Sequence, residues 1–111
     1  MSSIAYRVVF TGDPPVGALE FVSDACAALI GLSAAAIVER PHLWLQAIHD
    51  EDREAFVQTT AQLIADGAAV TRHYRVRGGN GAYQLIEDRL AASVDVNGDV
   101  IGYESVIVKP S

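Results

Sequence analysis

The chain has little of what nucleic-acid-binding, disulfide-rich and membrane-spanning proteins require. It carries 8 Lys and Arg against 14 Asp and Glu, a formal net charge of −6, so the positive surface that neutralises phosphates is missing and DNA and RNA are disfavoured as partners. Its one cysteine, Cys26, cannot form an internal disulfide, which fits a reducing compartment. No apolar run approaches the roughly 20 residues of a membrane helix, and the N-terminus lacks a signal-peptide pattern. The composition therefore predicts a soluble, cytoplasmic protein.

The order of the predicted elements indicates an α+β fold. The predicted elements are strands at 5–10 and 19–22, short helices at 26–30 and 33–39, a loop with one helical turn at 39–48, a main helix from Asp50 to Gly67, and strands at 70–77, 83–94 and 100–109. Ser23 or Asp24 is expected to cap the first helix, and the Asn-Gly pair at 97–98 is a strong hairpin signal. Two strands, a run of helices and a three-stranded antiparallel meander predict helices on one side of a sheet, in a single domain over residues 1–111.

The acidic stretch IHDEDREAF, residues 48–56, is interpreted as the start of the main helix. His49 is expected near the cap, and Asp50, Glu51 and Asp52 then face unpaired amides and the positive end of the helix dipole, at roughly 0.3–1 kcal/mol each. Asp52 is also expected to reach back to the cap amide, as the acid of a capping box does. A metal site is disfavoured because the cluster supplies at most two convergent ligands. Acid/base catalysis is disfavoured because no nucleophile or matched partner lies nearby.

Four segments in order resemble the PAS domain family. FVSDACAALIGLS (21–33) resembles "Y-V-N-x-A-F-x-x-L-T-G-Y-S", and IHDEDREAF (48–56) resembles "I-H-P-x-D-R-x-x-F". YRVRGGNGAYQLIEDR (74–89) resembles "Y-R-x-x-x-x-D-G-x-Y-R-W-V-E-D-R", and GDVIGYESVIV (98–108) resembles "G-x-V-x-G-Y-x-G-V-x-x-D-I-T". No single motif is specific, but together they cover about residues 18–108 with the spacing of the family.

The resemblance implies a PAS fold, a five-stranded antiparallel sheet with helices packed on one face, and a sensory module without catalysis of its own. Such a module binds a small ligand or a protein partner and passes the signal to an effector such as a histidine kinase or a cyclic-dinucleotide enzyme. A ligand would lie between the sheet and the main helix, where a concave, mostly apolar pocket can form. The candidate lining residues are Cys26, Leu29, Trp44, Phe56, Thr60, Tyr74, Val76 and Tyr103. Two alternatives stay open: a dimerisation or docking module without ligand, and a small cone-like isomerase, which a buried acid in a pocket would favour.

Haem and flavin are disfavoured as cofactors, whereas an unidentified small molecule is compatible with the sequence. ERPHLWLQ (39–46) resembles the "G-R-N-C-R-F-L-Q" of flavin-binding, light-sensing PAS domains, but His42 stands where the photoreactive cysteine belongs. Cys26 is expected to be a small core residue. Haem-binding members place a histidine in or near the main helix, whose apolar stripe here has none, and His73 is expected to be exposed on its strand. Only His42 leaves haem open.

The closing strand predicts self-association. Apolar residues occupy both of its parities, Ile101, Tyr103 and Ile107 on one and Val100, Val106 and Val108 on the other. The helices can cover only one face, and soluble monomers rarely expose a large contiguous apolar patch. The resemblance implies the same, because PAS domains commonly dimerise through the outer sheet face. We therefore expect a homodimer built on the sheet, weakened by Ile107→Glu if Ile107 points outward.

Overall fold

The computed structural model of the chain describes residues 3–11 and 16–110. Within these residues the strands and helices follow the predicted order. The strands are β1 (Ile4–Thr11), β2 (Val16–Val22), β3 (Val70–Arg77), β4 (Tyr83–Val94) and β5 (Val100–Val108), and the helices are α1 (Cys26–Ile30), α2 (Ala34–Glu39), α3 (His42–Ala47) and α4 (Asp50–Asp66). The largest differences from the prediction are that β2 begins at Val16 rather than at residue 19 and that the segment predicted as a loop with one turn contains helix α3. Other element ends differ by one residue.

The described strands form one antiparallel sheet in the order β2-β1-β5-β4-β3. The three C-terminal strands make the predicted meander, since β3 pairs with β4 and β4 pairs with β5. The first strand then pairs with the last, so β1 and the hairpin it makes with β2 extend the sheet beyond β5. The predicted α+β fold, a five-stranded antiparallel sheet with a helical layer, is confirmed.

Glycines end the first and the longest helix, as predicted. Gly31 after α1 has φ +74° and Gly67 after α4 has φ +69°, a left-handed conformation that only glycine adopts without cost. The prediction that Ser23 or Asp24 caps α1 is wrong. Ala25 holds the cap position without a side-chain hydrogen bond, and the Ser23 hydroxyl accepts instead from a backbone amide of β1. No helix among residues 3–11 and 16–110 is long and apolar enough to cross a membrane.

The core lies between the helices and the inner face of the sheet, and strand parity predicts most of it. On β3, Tyr74 and Val76 are buried whereas His73 is exposed, as expected. On β5, Ile107 is fully buried and Val106 is 43 % exposed, so an outward Ile107 is wrong and Val106 is the outward member of that pair. Ile101 is 44 % exposed despite sharing the parity of Ile107, because it lies beside the irregular pairing at the start of β5.

Candidate functional site

A cavity of about 440 Å³ lies between the β1–β2 half of the sheet and helices α2, α3 and α4. Its walls are mostly apolar, and none of the described residues that line it carries a charged side chain. The lining residues are Ile4, Tyr6, Val8, Phe10, Gly17, Leu19, Val22, Ile37, Pro41, Trp44, Leu45, Phe56, Val57, Thr60, Ala61, Ile64 and Tyr103. Leu45, Val57 and Ile64 are at the same time exposed to solvent. The cavity therefore opens to the surface beside α3 and α4.

The regular repeat of side-chain directions along strand β1 and helix α4 explains why these residues share one wall. Alternate side chains of a strand point to the same face, and β1 contributes every second residue, from Ile4 to Phe10. Residues three and four apart share one face of a helix. Helix α4 accordingly contributes Phe56, Val57, Thr60, Ala61 and Ile64. The predicted apolar stripe of α4 thus faces the cavity except at Leu63, which is fully buried in the core.

A buried polar cluster centred on Asp88 borders the cavity. Asp88 is fully buried. Its Oδ2 accepts hydrogen bonds from the hydroxyls of Tyr6, at 2.8 Å, and Tyr74, at 2.7 Å. The same oxygen accepts from Arg72 Nε at 3.2 Å, and Oδ1 accepts from the Ser105 hydroxyl. A carboxylate has about four acceptor positions, and here three donors meet at Oδ2 and one at Oδ1.

Arg72 connects this cluster to helix α4. Its Nη1 donates to the Phe56 carbonyl oxygen at 2.9 Å, to Thr60 Oγ1 at 2.7 Å and to Thr59 Oγ1 at 3.2 Å. Its Nη2 donates to the Tyr6 hydroxyl at 3.0 Å. The guanidinium carbon also lies 3.7 Å from the centre of the Phe56 ring, a cation–π geometry. One side chain therefore ties β3 to β1 and to the main helix.

Burial fixes the protonation of the tyrosines in the cluster. Burial, reinforced by the neighbouring charge of Asp88, raises the pKa of Tyr6 above its ordinary value. Burial also raises the pKa of Tyr74, with Tyr6 and Asp88 adding to the effect. Both hydroxyls are therefore protonated donors at neutral pH. Arg72 and Asp88 form a buried ion pair, so the cluster contains one positive and one negative charge and is neutral overall.

Four of the eight predicted pocket residues lie in the cavity wall: Trp44, Phe56, Thr60 and Tyr103. The others do not line it. Cys26, Tyr74 and Val76 are buried in the core, and Leu29 borders a separate groove between α1 and the β3–β4 turn. Whether any of the eight contacts a ligand stays a prediction.

Trp44 combines two features that set it apart in the wall. Its Nε1 is the one buried side-chain nitrogen or oxygen of residues 3–11 and 16–110 without a hydrogen-bond partner. The centre of its ring lies 6.4 Å from that of Tyr6 and 6.5 Å from that of Tyr74. Trp44 therefore packs against the two tyrosines whose hydroxyls belong to the polar cluster. An unpaired buried donor costs about 1–3 kcal/mol.

The acidic motif begins α4, as predicted, but Asp52 has a different partner. His49 is the cap residue and its Nδ1 accepts from the Glu51 amide at 3.1 Å. The prediction that Asp52 reaches back to the cap amide is wrong, because its Oδ2 accepts from both N and Nε of Arg75 at 2.9 Å. The Arg75 side chain thereby holds the pKa of Asp52 at about 2. The described residues contain no group of three or more potential metal ligands.

The sequence interpretation missed Arg72 and Asp88, although a signal was present. Arg72 has the parity of the inward residues Tyr74 and Val76, and it pairs in register with Asp88 on the next strand. Opposite charges at facing inward positions indicate a buried ion pair, because isolated charges are rarely buried.

Comparison with known proteins places the chain in a family. Residues 19–107 match the family described as PAS fold. Because this match covers most of the chain, the protein belongs to the PAS fold family, as the resemblance implied. None of the curated protein sequences is significantly similar to it.

Solved structures agree with the family assignment. The N-terminal domain of a diguanylate cyclase with PAS/PAC sensor from Marinobacter aquaeolei is similar with a TM-score of 0.79 and 21 % identity, over 97 % of this chain and 94 % of that one. A sensory box histidine kinase/response regulator from Burkholderia thailandensis gives 0.65 and 19 %, over 94 % and 75 %. The Drosophila melanogaster Cycle PAS-B domain with bound ethylene glycol gives 0.72 and 16 %, over 95 % and 97 %. At these identities the likeness establishes the fold alone.

Proposed function

We propose that this chain is a sensory PAS module that binds a small, mainly apolar molecule in the cavity. The cavity itself carries the proposal. Its volume of about 440 Å³ and its apolar walls match small-molecule sites, which measure roughly 300–1,000 Å³. Protein interiors otherwise leave few voids larger than a water molecule, and a domain with a purely structural role has no need of a space this large.

The similar structures support both halves of this proposal. The Cycle PAS-B domain is described with bound ethylene glycol, a small molecule held by a protein of the same fold. Two other neighbours are a domain of a diguanylate cyclase and a histidine kinase/response regulator. We therefore propose an effector of one of these classes, a histidine kinase or a cyclic-dinucleotide enzyme, as the partner that receives the signal.

Asp88, the buried acid among the described residues, does not support catalysis. A buried acid that faces a pocket would favour an isomerase-type enzyme, and Asp88 is such an acid by burial alone. However, Asp88 is not part of the cavity wall, and four side-chain donors already occupy its oxygens. It is therefore held within the polar cluster and does not face a substrate in the cavity.

The described lining residues lend no support to the two cofactors considered from the sequence. No histidine or cysteine is among the described lining residues, so the wall offers neither an imidazole for haem iron nor a thiol for a flavin adduct. His42, the histidine that left haem open, is exposed and lies outside the wall. We propose a site for a different kind of molecule.

The test uses N-phenyl-1-naphthylamine, an uncharged probe whose fluorescence rises in apolar sites. The variant Ala61→Phe places a large side chain at the solvent-exposed edge of the wall, because Ala61 lines the cavity and is itself exposed. We expect it to weaken probe binding at least tenfold relative to the unsubstituted protein.

The matched control is Ala55→Phe. Ala55 lies on the same helix and is exposed, but it does not line the cavity. This variant should bind the probe as the unsubstituted protein does. Equal binding by both variants would mean that the probe occupies another surface and that the cavity does not act as the site.

A second role, self-association through the outer sheet face, rests on its exposed apolar side chains. Phe21, Leu85 and Val106 are 48 %, 50 % and 43 % exposed. They alternate with charged side chains, among them the ion pair between Arg7 and Glu104 at 3.0 Å. We propose that two copies meet on this mixed face in a homodimer, which Val106→Glu would weaken.

A further inference from the structure

The polar groups of the cavity wall decide which ligands the cavity can recognise. Among the described lining residues, polar side-chain atoms belong only to Tyr6, Trp44, Thr60 and Tyr103. A polar group of a bound molecule needs a partner, because a buried polar group without one is strongly unfavourable. Trp44 Nε1 does not provide it, since this atom is closed off from solvent by the surrounding protein. Three hydroxyls remain.

Two of the three hydroxyls have no proton left for a ligand. The Tyr6 hydroxyl donates to Asp88 and accepts from Arg72. The Thr60 hydroxyl donates to the Phe56 carbonyl oxygen and accepts from Arg72. A hydroxyl has a single proton to donate, so a ligand could engage either group as a donor only by breaking a bond within the protein.

The Tyr103 hydroxyl is the uncommitted donor of the wall. Within residues 3–11 and 16–110 it makes no hydrogen bond of ordinary distance and angle, although Thr60 is a polar neighbour. It is also not among the buried polar atoms closed off from solvent without a partner, of which Trp44 Nε1 is the one in these residues. Because Tyr103 lines the cavity, its hydroxyl is accessible from the cavity.

The surroundings of Tyr103 favour a neutral partner. Burial raises the pKa of Tyr103 above its ordinary value, so its hydroxyl keeps its proton at neutral pH and a negative charge at this place is disfavoured. The nearby cation does not change this, because Arg72 is outside the wall and is paired with Asp88 at 3.2 Å. An anionic ligand would therefore leave water without gaining a counter-charge.

We infer that Tyr103 recognises the ligand, and that the ligand is an uncharged, mainly apolar molecule with one hydrogen-bond acceptor directed at the Tyr103 hydroxyl. The ring of Tyr103 is held in place for this role, since its centre lies 6.3 Å from that of Tyr6 and 6.2 Å from that of Phe10. This inference rests on the proposed function and specifies its ligand class.

The experiment compares three compounds of nearly equal shape as competitors of N-phenyl-1-naphthylamine. They are 2-acetylnaphthalene, which is neutral with one acceptor, 2-isopropylnaphthalene, which has none, and 2-naphthoate, which is an anion. We expect the ketone to compete about fivefold better than the hydrocarbon, as one net hydrogen bond of about 1 kcal/mol gives. We expect the carboxylate to be at least tenfold weaker than the ketone.

Tyr103→Phe removes the hydroxyl oxygen and keeps the ring. Because this hydroxyl makes no hydrogen bond with the described residues, the variant should stay folded. It should lose the preference for the ketone over the hydrocarbon and keep the discrimination against the carboxylate. Tyr83→Phe is the matched control, because Tyr83 is exposed and does not line the cavity, and it should keep the ketone preference unchanged.

An infrared measurement reads the hydrogen bond directly. The stretching frequency of a carbonyl falls when its oxygen accepts a hydrogen bond. For 2-acetylnaphthalene labelled isotopically at the carbonyl carbon, the frequency in the unsubstituted protein should lie below that in cyclohexane. In Tyr103→Phe, at a ketone concentration that saturates the variant, it should return to the cyclohexane value.

The outcomes distinguish this inference from the proposed function. Carboxylate binding as tight as that of the ketone, a ketone preference that persists in Tyr103→Phe, or a carbonyl frequency that is the same in both proteins would overturn the inference while leaving a ligand-binding cavity. Failure of all three compounds to compete, together with unchanged probe binding by Ala61→Phe, would overturn the proposed function and the inference with it.

Discussion

Removing Arg72 should expose how strongly the protein depends on its buried ion pair. The variant Arg72→Met keeps an unbranched side chain of similar length but leaves the Asp88 carboxylate, which is fully buried, with hydroxyl donors only. Breaking a buried pair by removing one partner costs about 3–5 kcal/mol. A domain of this size has a free energy of unfolding of about 5–15 kcal/mol, so the variant should fold and be far less stable.

Urea unfolding followed by the fluorescence of Trp44 measures this loss, because Trp44 lies against Tyr6 and Tyr74 of the cluster. With a slope of about 2 kcal/mol per M, a loss of about 4 kcal/mol lowers the unfolding midpoint by about 2 M. Arg75→Met is the control: it changes the same residue type on the same strand, but Arg75 is on the outer face and 38 % exposed. Its midpoint should move much less than that of Arg72→Met.

A double variant tests whether the loss comes from the pair itself. Asp88→Asn alone leaves Arg72 unpaired, whereas Arg72→Met with Asp88→Asn removes both charges and keeps an acceptor for the hydroxyls. The double variant should therefore be more stable than the sum of the two losses predicts, by at least about 2 kcal/mol. Additive losses, or a loss below about 1 kcal/mol for Arg72→Met, would refute the assignment of Arg72 as the counter-charge of Asp88.

Three further outcomes follow from the structure. Because the pKa of Asp52 is lowered from 3.8 to about 2, the Asp52 carboxylate stabilises the fold above pH 3.8 and loses this effect as the pH falls to about 2. At pH 7, Asp52→Asn should be less stable than the unsubstituted protein by about 1 kcal/mol, after allowance for solvent screening. In acid titrations of stability the two proteins should be indistinguishable near pH 2. Gly102→Ala should lower the free energy of unfolding by about 2–3 kcal/mol in urea titrations, as overpacking does. The reason is that a Cβ at this position would overlap the Val8 carbonyl oxygen of the neighbouring strand β1. An unchanged unfolding midpoint would contradict that contact. In sedimentation experiments, Val106→Glu should stay folded and dissociate a homodimer, whereas Ile107→Glu should unfold the chain because Ile107 is fully buried; a monomeric unsubstituted protein would contradict the dimer.

Element order could be predicted from the sequence because its signals are local. Alternation on β3, the glycines after α1 and α4, and the acidic start of α4 each act within a few residues, and each matches the structure. Predictions that depended on partners distant in sequence were less accurate. Asp52 has the position of a capping-box acid, but its carboxylate accepts from Arg75 instead, because β3 packs beside the first turn of α4. The competing tertiary contact replaced the local one.

The two faces of β5 illustrate a second reason why part of the structure could not be predicted from the sequence. Parity separates Val106 from Ile107 but does not say which of them faces the helices when both are apolar. Pairing decides it: Ile107 lies between Ile4 on β1 and Asp88 on β4, both fully buried, whereas Val106 lies between Ala5 and the exposed Arg89. The register of β5 against its two neighbours was therefore needed before an outward residue could be named.

The cavity is the feature that pattern alone could not provide, because periodicity gives direction and not volume. Residues of one parity or one helical stripe meet across the core, and whether they leave a space depends on the sizes of the facing side chains. Here small residues coincide, with Gly17 on β2 and Thr60 and Ala61 on α4 in the same wall. A large residue at one of these positions would have satisfied the same apolar pattern and reduced the space. This is why Ala61→Phe, which changes the volume and leaves the pattern as it is, decides whether the cavity has a function.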